Sequence, residues 1–475
     1  MDQKIPADRD DPTTVNLLIE KACLYLQHLF IEHMDAQVER NLERAQRGGV
    51  PGIRGLVEAY LKIGADDPFA EDGTVEGLPV WEVTYHCLRA GDLAAAKDAL
   101  ELLANFPQSA VLVSCLNHLN KEAKLDVELK KKLKVEWRHN LNSAKDKYKR
   151  GLYAALLGLD STLSDSLENW LWFKLFALKV DPHMSPILYA EVQKNVSIDY
   201  GESYFMSGGK AEFHYYFTAL WLSGQFERAI KLLFDCNHVS DAVHVAILAY
   251  ELGYLRNTAN AAADTLVVDS AQMTKCYCNI ARLLVSYTKE FELDDVARAL
   301  DYWSLLKGLQ TPSGSDVFEM AVSRAIYLTG KADEIIGALG PDGKRSPALI
   351  DEYLEDPSDI ICRVAHDTEL GGDTTQAVRL YILANTPLKA IELLCSELSD
   401  AIRVNRTRMA ELRRLAEDFV SDSSVSQQLR LIPFDMDQVP VIVGEFHLVP
   451  QKVREVIPDL CLHLMRCMVD AIHSS

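Results

Sequence analysis

Apolar residues recur along this chain with the 3.6-residue period of helices. Phe213, Tyr216, Phe217, Leu220 and Trp221 stand at i, i+3, i+4, i+7 and i+8 and form one apolar stripe. Gly224 ends the stripe. Phe226, Ala229, Ile230, Leu233 and Phe234 then repeat it, with Glu227, Arg228 and Lys231 on the opposite face. Two stripes joined by so short a turn predict an antiparallel helix pair. The following segment, Ser240 to Leu252, is apolar on nearly all sides and is expected to be sandwiched between neighbours.

The same turn chemistry returns elsewhere. Arg89-Ala90-Gly91-Asp92-Leu93, Ser223-Gly224-Gln225-Phe226 and Thr329-Gly330-Lys331-Ala332 each read as helix end, turn and new helix. Gly371-Gly372-Asp373 adds an N-cap at Asp373, with Gln376 three residues on as in a capping box. With Gly253 and the Lys289-Glu290-Phe291 turn, successive turns from Gly224 onward fall roughly 30 to 42 residues apart, the spacing of irregular two-helix repeats. The repeats fit neither a tetratricopeptide nor an ankyrin consensus. The expected fold is all-α: an irregular, elongated α-solenoid of antiparallel helix pairs, one domain over residues 1–475. Loops are expected at Gly48–Gly52, Gly64–Pro79, Ser161–Asp165, Asp181–Pro186, Ser207–Lys210, Thr311–Ser315 and Gly340–Ser346. Strand signals are thin, limited to Val441–Val443 and the text near Phe446, with Pro440 confining any strand to an edge. Ser421–Pro450 is the least helical stretch.

Composition narrows the function classes. Of 475 residues, 48% are apolar, ample for a core, and no stretch approaches a membrane span. Mean hydropathy is −0.05. Met1 to Val15 is polar, without the apolar stretch of a secretory signal. A soluble cytosolic or nuclear protein is expected. The formal charge of −20 opposes phosphate backbones and anionic lipid, which argues against direct nucleic-acid or membrane binding. Two basic runs, Lys130-Lys131-Lys132 with Lys134, and Arg403, Arg406, Arg408, Arg413 and Arg414, interleave Leu or Met and read first as solvated helix faces. The ten cysteines lie scattered in apolar text and read as buried free thiols of a reducing compartment.

No catalytic constellation emerges. Ser207-Gly208-Gly209-Lys210-Ala211 and Gly340-Pro341-Asp342-Gly343-Lys344 contain a Gly-Lys step but lack the phosphate-loop spacing. Asp66-Asp67-Pro68-Phe69-Ala70-Glu71-Asp72 has the wrong spacing for paired magnesium carboxylates, and Pro68 keeps it off one helical face. Cys461, His463 and Cys467 are too few for a structural zinc site, and Cys276-Tyr277-Cys278, read as helix, turns its thiols to different sides. His214 and His244 sit on or beside apolar stripes, as core histidines do. Trp172, Tyr215 and Trp303 are candidates to line a docking groove, although aromatics at helical spacing are usually core. Catalytic, metal and cofactor residues are therefore expected to be none, and no partner-binding residue is named.

Several stretches resemble one family, the nucleoporin-interacting-component nucleoporins. They are Gln37 through Gly52; Gly73-Thr74-Val75-Glu76-Gly77 through Pro79-Val80-Trp81 to Arg89-Ala90-Gly91-Asp92-Leu93; and Asp146-Lys147-Tyr148-Lys149-Arg150 with Glu168-Asn169-Trp170-Leu171-Trp172-Phe173-Lys174-Leu175. The most specific is Asp199-Tyr200-Gly201-Glu202-Ser203-Tyr204-Phe205, followed by Gly224-Gln225-Phe226-Glu227 and Ala242-Val243-His244-Val245-Ala246. Together they span most of Met1 to Ala416. The resemblance implies a folded-back, vesicle-coat-like α-solenoid in the inner ring of the nuclear pore complex at the nuclear envelope. It implies a scaffold, not an enzyme, that docks a short helical motif from a disordered linker nucleoporin. The family's N-terminal tethers recruit a coiled-coil channel nucleoporin trimer and a large ring-shaped scaffold nucleoporin. The tethers have no counterpart here, so recruitment of the trimer is not expected of this chain. Asp418–Leu448 looks shorter than the family pattern, and Val453–Ile472 resembles the family's closing helix. Competing readings are a vesicle-coat or membrane-tethering solenoid, which shares the fold, and a helical enzyme, which would need a polar pocket.

Overall fold

The computed structural model describes residues 9–404 and Arg414, apart from 49–51, 65–68, 76, 103–109, 142–143, 182, 184–185, 208, 210–211, 259 and 341–344. The expected extended segment near Val441, the closing helix Val453–Ile472, the Cys461/His463/Cys467 cluster and most of the arginine run lie outside the described residues. So do Asp66, Asp67, Pro68 and much of the two Gly-Lys turns.

The described residues are predominantly helical and divide into two compact units. Unit 1 comprises residues 1–258 and 263–280. It begins with the long α1 (Pro12–Arg40), where Asp11 caps the first turn by accepting from the amides of Thr13 and Thr14 and Pro12 stands at the first position. There follow α2 (Leu42–Ala45), α3 (Ile53–Leu61), α4 (Val80–Arg89), α5 (Leu93–Glu101), α6 (Ala110–Leu119), α7 (Val127–Glu136) and α8 (Lys147–Leu157). Next come α9 (Leu167–Val180), α10 (Pro186–Lys194), α11 (Gly201–Phe205), α12 (Phe213–Leu222), α13 (Phe226–Asp235) and α14 (Val239–Glu251). Consecutive helices pack on one another, α4 on α5, α5 on α6, α12 on α13, α13 on α14, as stacked pairs must to bury their stripes. α1 departs from that order. It lies against α3, α9 and α12, so the chain of unit 1 folds back on its own first helix.

The predicted pair is α12 and α13. Gly224 between them has φ of +71°, and a Cβ there would stand 2.4 Å from the Tyr189 hydroxyl, so both backbone and space call for glycine. Asp92 and Asp373 act as N-caps, accepting from the amides of Ala95 and Gln376.

Unit 2 comprises residues 259–262 and everything from Ala281 on. Its helices are α15 (Ile280–Thr288), α16 (Val296–Trp303), α17 (Val317–Thr329), α18 (Ala332–Ile335), α19 (Ser358–Leu370), α20 (Thr374–Leu383) and α21 (Pro387–Val404). Here too neighbours pack, α16 on α17, α19 on α20 and α20 on α21. Trp303 is fully buried, and its indole N–H donates to Thr288 Oγ1 at 2.9 Å.

Three expectations are corrected. Ser240–Leu252 is not sandwiched: α14 buries Ala242, Val243, Ala246 and Ala249 but leaves Leu248 58% exposed. Apolar residues on all sides therefore mark an open face here, not a second neighbour within unit 1. Strands also form where helix or loop was expected. β1 (Thr74–Val75) pairs with β2 (Leu78–Pro79) inside the expected 64–79 loop, and β3 (Leu266–Val268) pairs antiparallel with β4 (Cys276–Cys278). A strand's period of two places both thiols of Cys276 and Cys278 on one buried face, not on different sides. Finally, His214 and His244 are exposed. Among the described residues the buried histidine is His86.

Candidate docking groove and the latch that frames it

α1 carries more apolar surface than one buried face needs. Val15, Ile19, Ala22, Cys23 and Leu26 face the core of unit 1. Leu17, Leu18, Leu24 and Tyr25 form a second stripe, of which Leu17, Leu24 and Tyr25 are exposed. Beside it, α12 presents Phe217 and Trp221, whose rings stack at 5.6 Å, and Trp221 meets Phe226 of α13 at 4.5 Å. Between the two walls runs a groove of about 420 Å³, lined by Leu18, Lys21, Tyr25, Phe217, Trp221 and Phe226 among others. That volume is of the size that receives several side chains at once. Lys21, exposed, is its cation.

A buried ion pair adjoins this groove at Gly224 and Phe226. The Arg9 guanidinium, immediately before α1, donates to Glu227, to the carbonyl of Gly224 and to the carbonyl of Tyr254. It also lies over the Phe226 ring at 4.8 Å. The side chains of Arg9 and Glu227 are 5% and 2% exposed. Burial pulls the Arg9 pKa down, and the neighbouring Glu227 carboxylate opposes that shift. Glu227 accepts a further bond from the Arg256 amide at 2.8 Å. Asp10 completes the joint through Arg256 at 2.7 Å and Lys275 at 2.8 Å. The start of α1 is thus tied to the α12–α13 turn and to the strand pair that follows α14.

Other joints in unit 1 join stretches that the sequence had set apart. Asp72 accepts from the Trp81 indole at 3.0 Å and from Lys149 Nζ at 2.6 Å, while Asp146, buried at the head of α8, accepts from the Glu71 amide. Arg89, 1% exposed, donates to the Leu26 carbonyl and to Asn169, between the rings of Phe30 and Trp172 at 4.8 and 5.0 Å. Its burial lowers the pKa to about 10. Next to it His86 is enclosed by Phe30, Tyr60, Tyr85 and Tyr148. Desolvation lowers its pKa to about 4, so the ring is neutral and its Nδ1 donates to the Glu82 carbonyl.

The chain belongs to the Nup93/Nic96 family. The Nup93/Nic96 family profile matches residues 2–427. Nuclear pore complex protein Nup93 of Danio rerio is 30% identical over 505 residues, covering 95% of this chain and 61% of that protein. Its Xenopus laevis counterpart is 29% identical with the same coverage. Nucleoporin NIC96 of Saccharomyces cerevisiae is 24% identical, over 87% of this chain and 52% of its own. The chain therefore spans about half to three-fifths of the length of these relatives. The crystal structure of Chaetomium thermophilum Nic96 SOL superposes with a TM-score of 0.65 over 98% of this chain and 81% of that one. At 18% identity that likeness is one of fold, and it places this member of the Nup93/Nic96 family among helical solenoids.

Within that fold the aromatics singled out from the sequence separate. Trp172 and Trp303 are core, and Tyr215 is exposed but outside the groove lining. The lysine run lies on α7, where Lys131, Lys132 and Lys134 are exposed as a solvated face, whereas Lys130, 13% exposed, turns inward to pair with Asp181. Among the described residues no group of three or more His, Cys, Asp or Glu is placed to hold a metal, and no helix is long and apolar enough to cross a membrane. Sequence reasoning missed Arg9, Lys21 and Tyr25. The double stripe of α1 was the available signal for the last two; a single arginine in a polar leader offered none.

Proposed function

We propose that this chain is the solenoid of a scaffold nucleoporin in the inner ring of the nuclear pore, and that its α1–α12 groove receives an amphipathic helix from a disordered linker nucleoporin. Its partners on this reading are other nucleoporins, its place is the nuclear envelope, and it does no chemistry of its own. Kinship with the Nup93/Nic96 family supports the scaffold role. The groove carries the docking role, because two helices present apolar side chains to solvent across a gap. Lys21 on one wall selects a helix with a carboxylate beside its apolar stripe.

Three apolar anchors would contribute about 5–9 kcal/mol, and ordering a disordered segment takes back about 2–5 kcal/mol. The net is at most about 7 kcal/mol, so the groove alone supports dissociation constants no tighter than about 10 micromolar. Tighter binding requires flanking contacts. The test is calorimetry of the chain against peptides tiling the linker nucleoporin of the same organism, repeated with the exposed-wall variant Tyr25→Glu. One saturable peptide whose binding Tyr25→Glu abolishes supports the reading; a peptide indifferent to Tyr25→Glu moves the site elsewhere. A tagged copy that misses the nuclear rim and collects on vesicles would favour the coat-scaffold alternative. We also propose that residues 1–475 behave as one solenoid domain. A single unfolding transition is expected, and two well-separated ones would refute it.

A further inference from the structure

A second surface of unit 1 carries aromatic rings that packing leaves unexplained. α10 runs into a π-helical turn, Asn195–Tyr200, which ends at Gly201 with φ of 63°. Such turns interrupt the regular ladder and recur at functional positions. Here the turn delivers Tyr200 and, four residues on, Tyr204 to the surface, 43% and 61% exposed. Their rings lie 5.0 Å apart. Tyr200 meets Trp170 of α9 edge-on at 5.9 Å, Tyr204 meets Phe205 edge-on at 5.2 Å, and Phe205 stacks on the buried Tyr216 at 5.2 Å. Both ends of the ladder, Trp170 and Tyr216, pack on the core, and the two exposed tyrosines stand between them.

The exposed charges beside the two tyrosines are mostly acidic. Asp199 and Glu202 are exposed on the same segment, and Asp165 is exposed on the approach to α9. Lys194, the only cation among residues 191–206, is 3.6 Å from Asp199. We propose that the Trp170–Tyr200–Tyr204 ladder is a docking surface for a basic segment of a protein partner. Arginine or lysine side chains lie over the tyrosine faces, with Asp199 and Glu202 pairing with their neighbours. Ring faces attract cations through their quadrupole, and a guanidinium adds planar stacking that an ammonium lacks, so arginine is preferred. An acidic segment meets the like charges of Asp199 and Glu202 here.

The test uses the full chain and a fluorescent eight-residue peptide of alternating arginine and serine, followed by anisotropy at about 150 mM salt, where exposed charges are screened beyond ~8 Å. Tyr200→Ser with Tyr204→Ser should weaken binding roughly tenfold, the loss of two exposed cation–π contacts. Tyr200→Phe with Tyr204→Phe should keep it within about twofold, since the faces remain. Equal binding by the serine variant would overturn the proposal, because the peptide is then held only by the diffuse charge of −20. If the serine variant loses its helical circular dichroism, Asp199→Lys with Glu202→Lys decides: unchanged binding overturns the proposal, and loss supports it. Linker-peptide binding at the α1–α12 groove should be unaffected by any of these variants, so the two surfaces stand or fall separately.

Discussion

Replacing Arg9 by methionine removes a cation that three acceptors share. Glu227, 2% exposed, keeps only its bond from the Arg256 amide, and the carbonyls of Gly224 and Tyr254 each lose a charged donor. Breaking a buried pair from one side costs about 3–5 kcal/mol, because the remaining charge stays buried. The lost contact with Phe226 adds about 1 kcal/mol, and the surviving Arg256 bond offsets some of the total, leaving about 4 kcal/mol. Glu227→Gln leaves an amide oxygen that still accepts, so it should cost about half as much. The double variant should be more stable than the sum of the singles implies, by about 2 kcal/mol of coupling. Urea unfolding of all four proteins measures this. Hydrogen exchange at Arg256 should quicken in Arg9→Met, since its amide is held by the same carboxylate. A single-variant cost below about 1 kcal/mol, or coupling below about 0.5 kcal/mol, would refute the latch.

His86 makes stability pH-dependent. The folded state holds its pKa near 4 while the unfolded chain takes up the proton near pH 6.5, so the unfolded state binds more protons between those values. Stability is then full above about pH 6.5 and falls by about 3 kcal/mol on descending to pH 4; His86→Phe should flatten that part of the profile, and an unchanged slope would count against a buried neutral ring. Gly224→Ala should destabilise by more than 2 kcal/mol through the Tyr189 hydroxyl 2.4 Å away and the positive φ. Adding Tyr189→Phe should recover the steric part but leave about 1 kcal/mol for the backbone; thermal melts of the three variants separate the two terms. Asp72→Ala strands Lys149, 9% exposed on its side chain with Glu71 its remaining carboxylate at 3.5 Å. A loss of about 2–4 kcal/mol is expected by denaturant unfolding, and Lys149→Met in the same background should restore part of it.

The helical period and the turn glycines were enough to define helices. α12 and α13 follow from five apolar positions each and one intervening turn, because those signals are local: a stripe, a cap, a residue tolerant of positive φ. The family could be read from runs of residues such as Asp146–Arg150, and the joints made by Asp146 and Lys149 show what those two residues do there. Strands were hidden because Leu266–Val268 and Cys276–Cys278 are each three residues long, too short for a period of two to rise above helical text; only their mutual pairing stabilises them. Tertiary structure alone decided that α1 lies against α9 and α12, that Arg9 meets Glu227 across 218 residues, and that a groove opens between two apolar faces. Periodicity reports that a face is apolar. Whether another helix covers it depends on where the chain returns, and this is set by contacts between residues far apart in sequence.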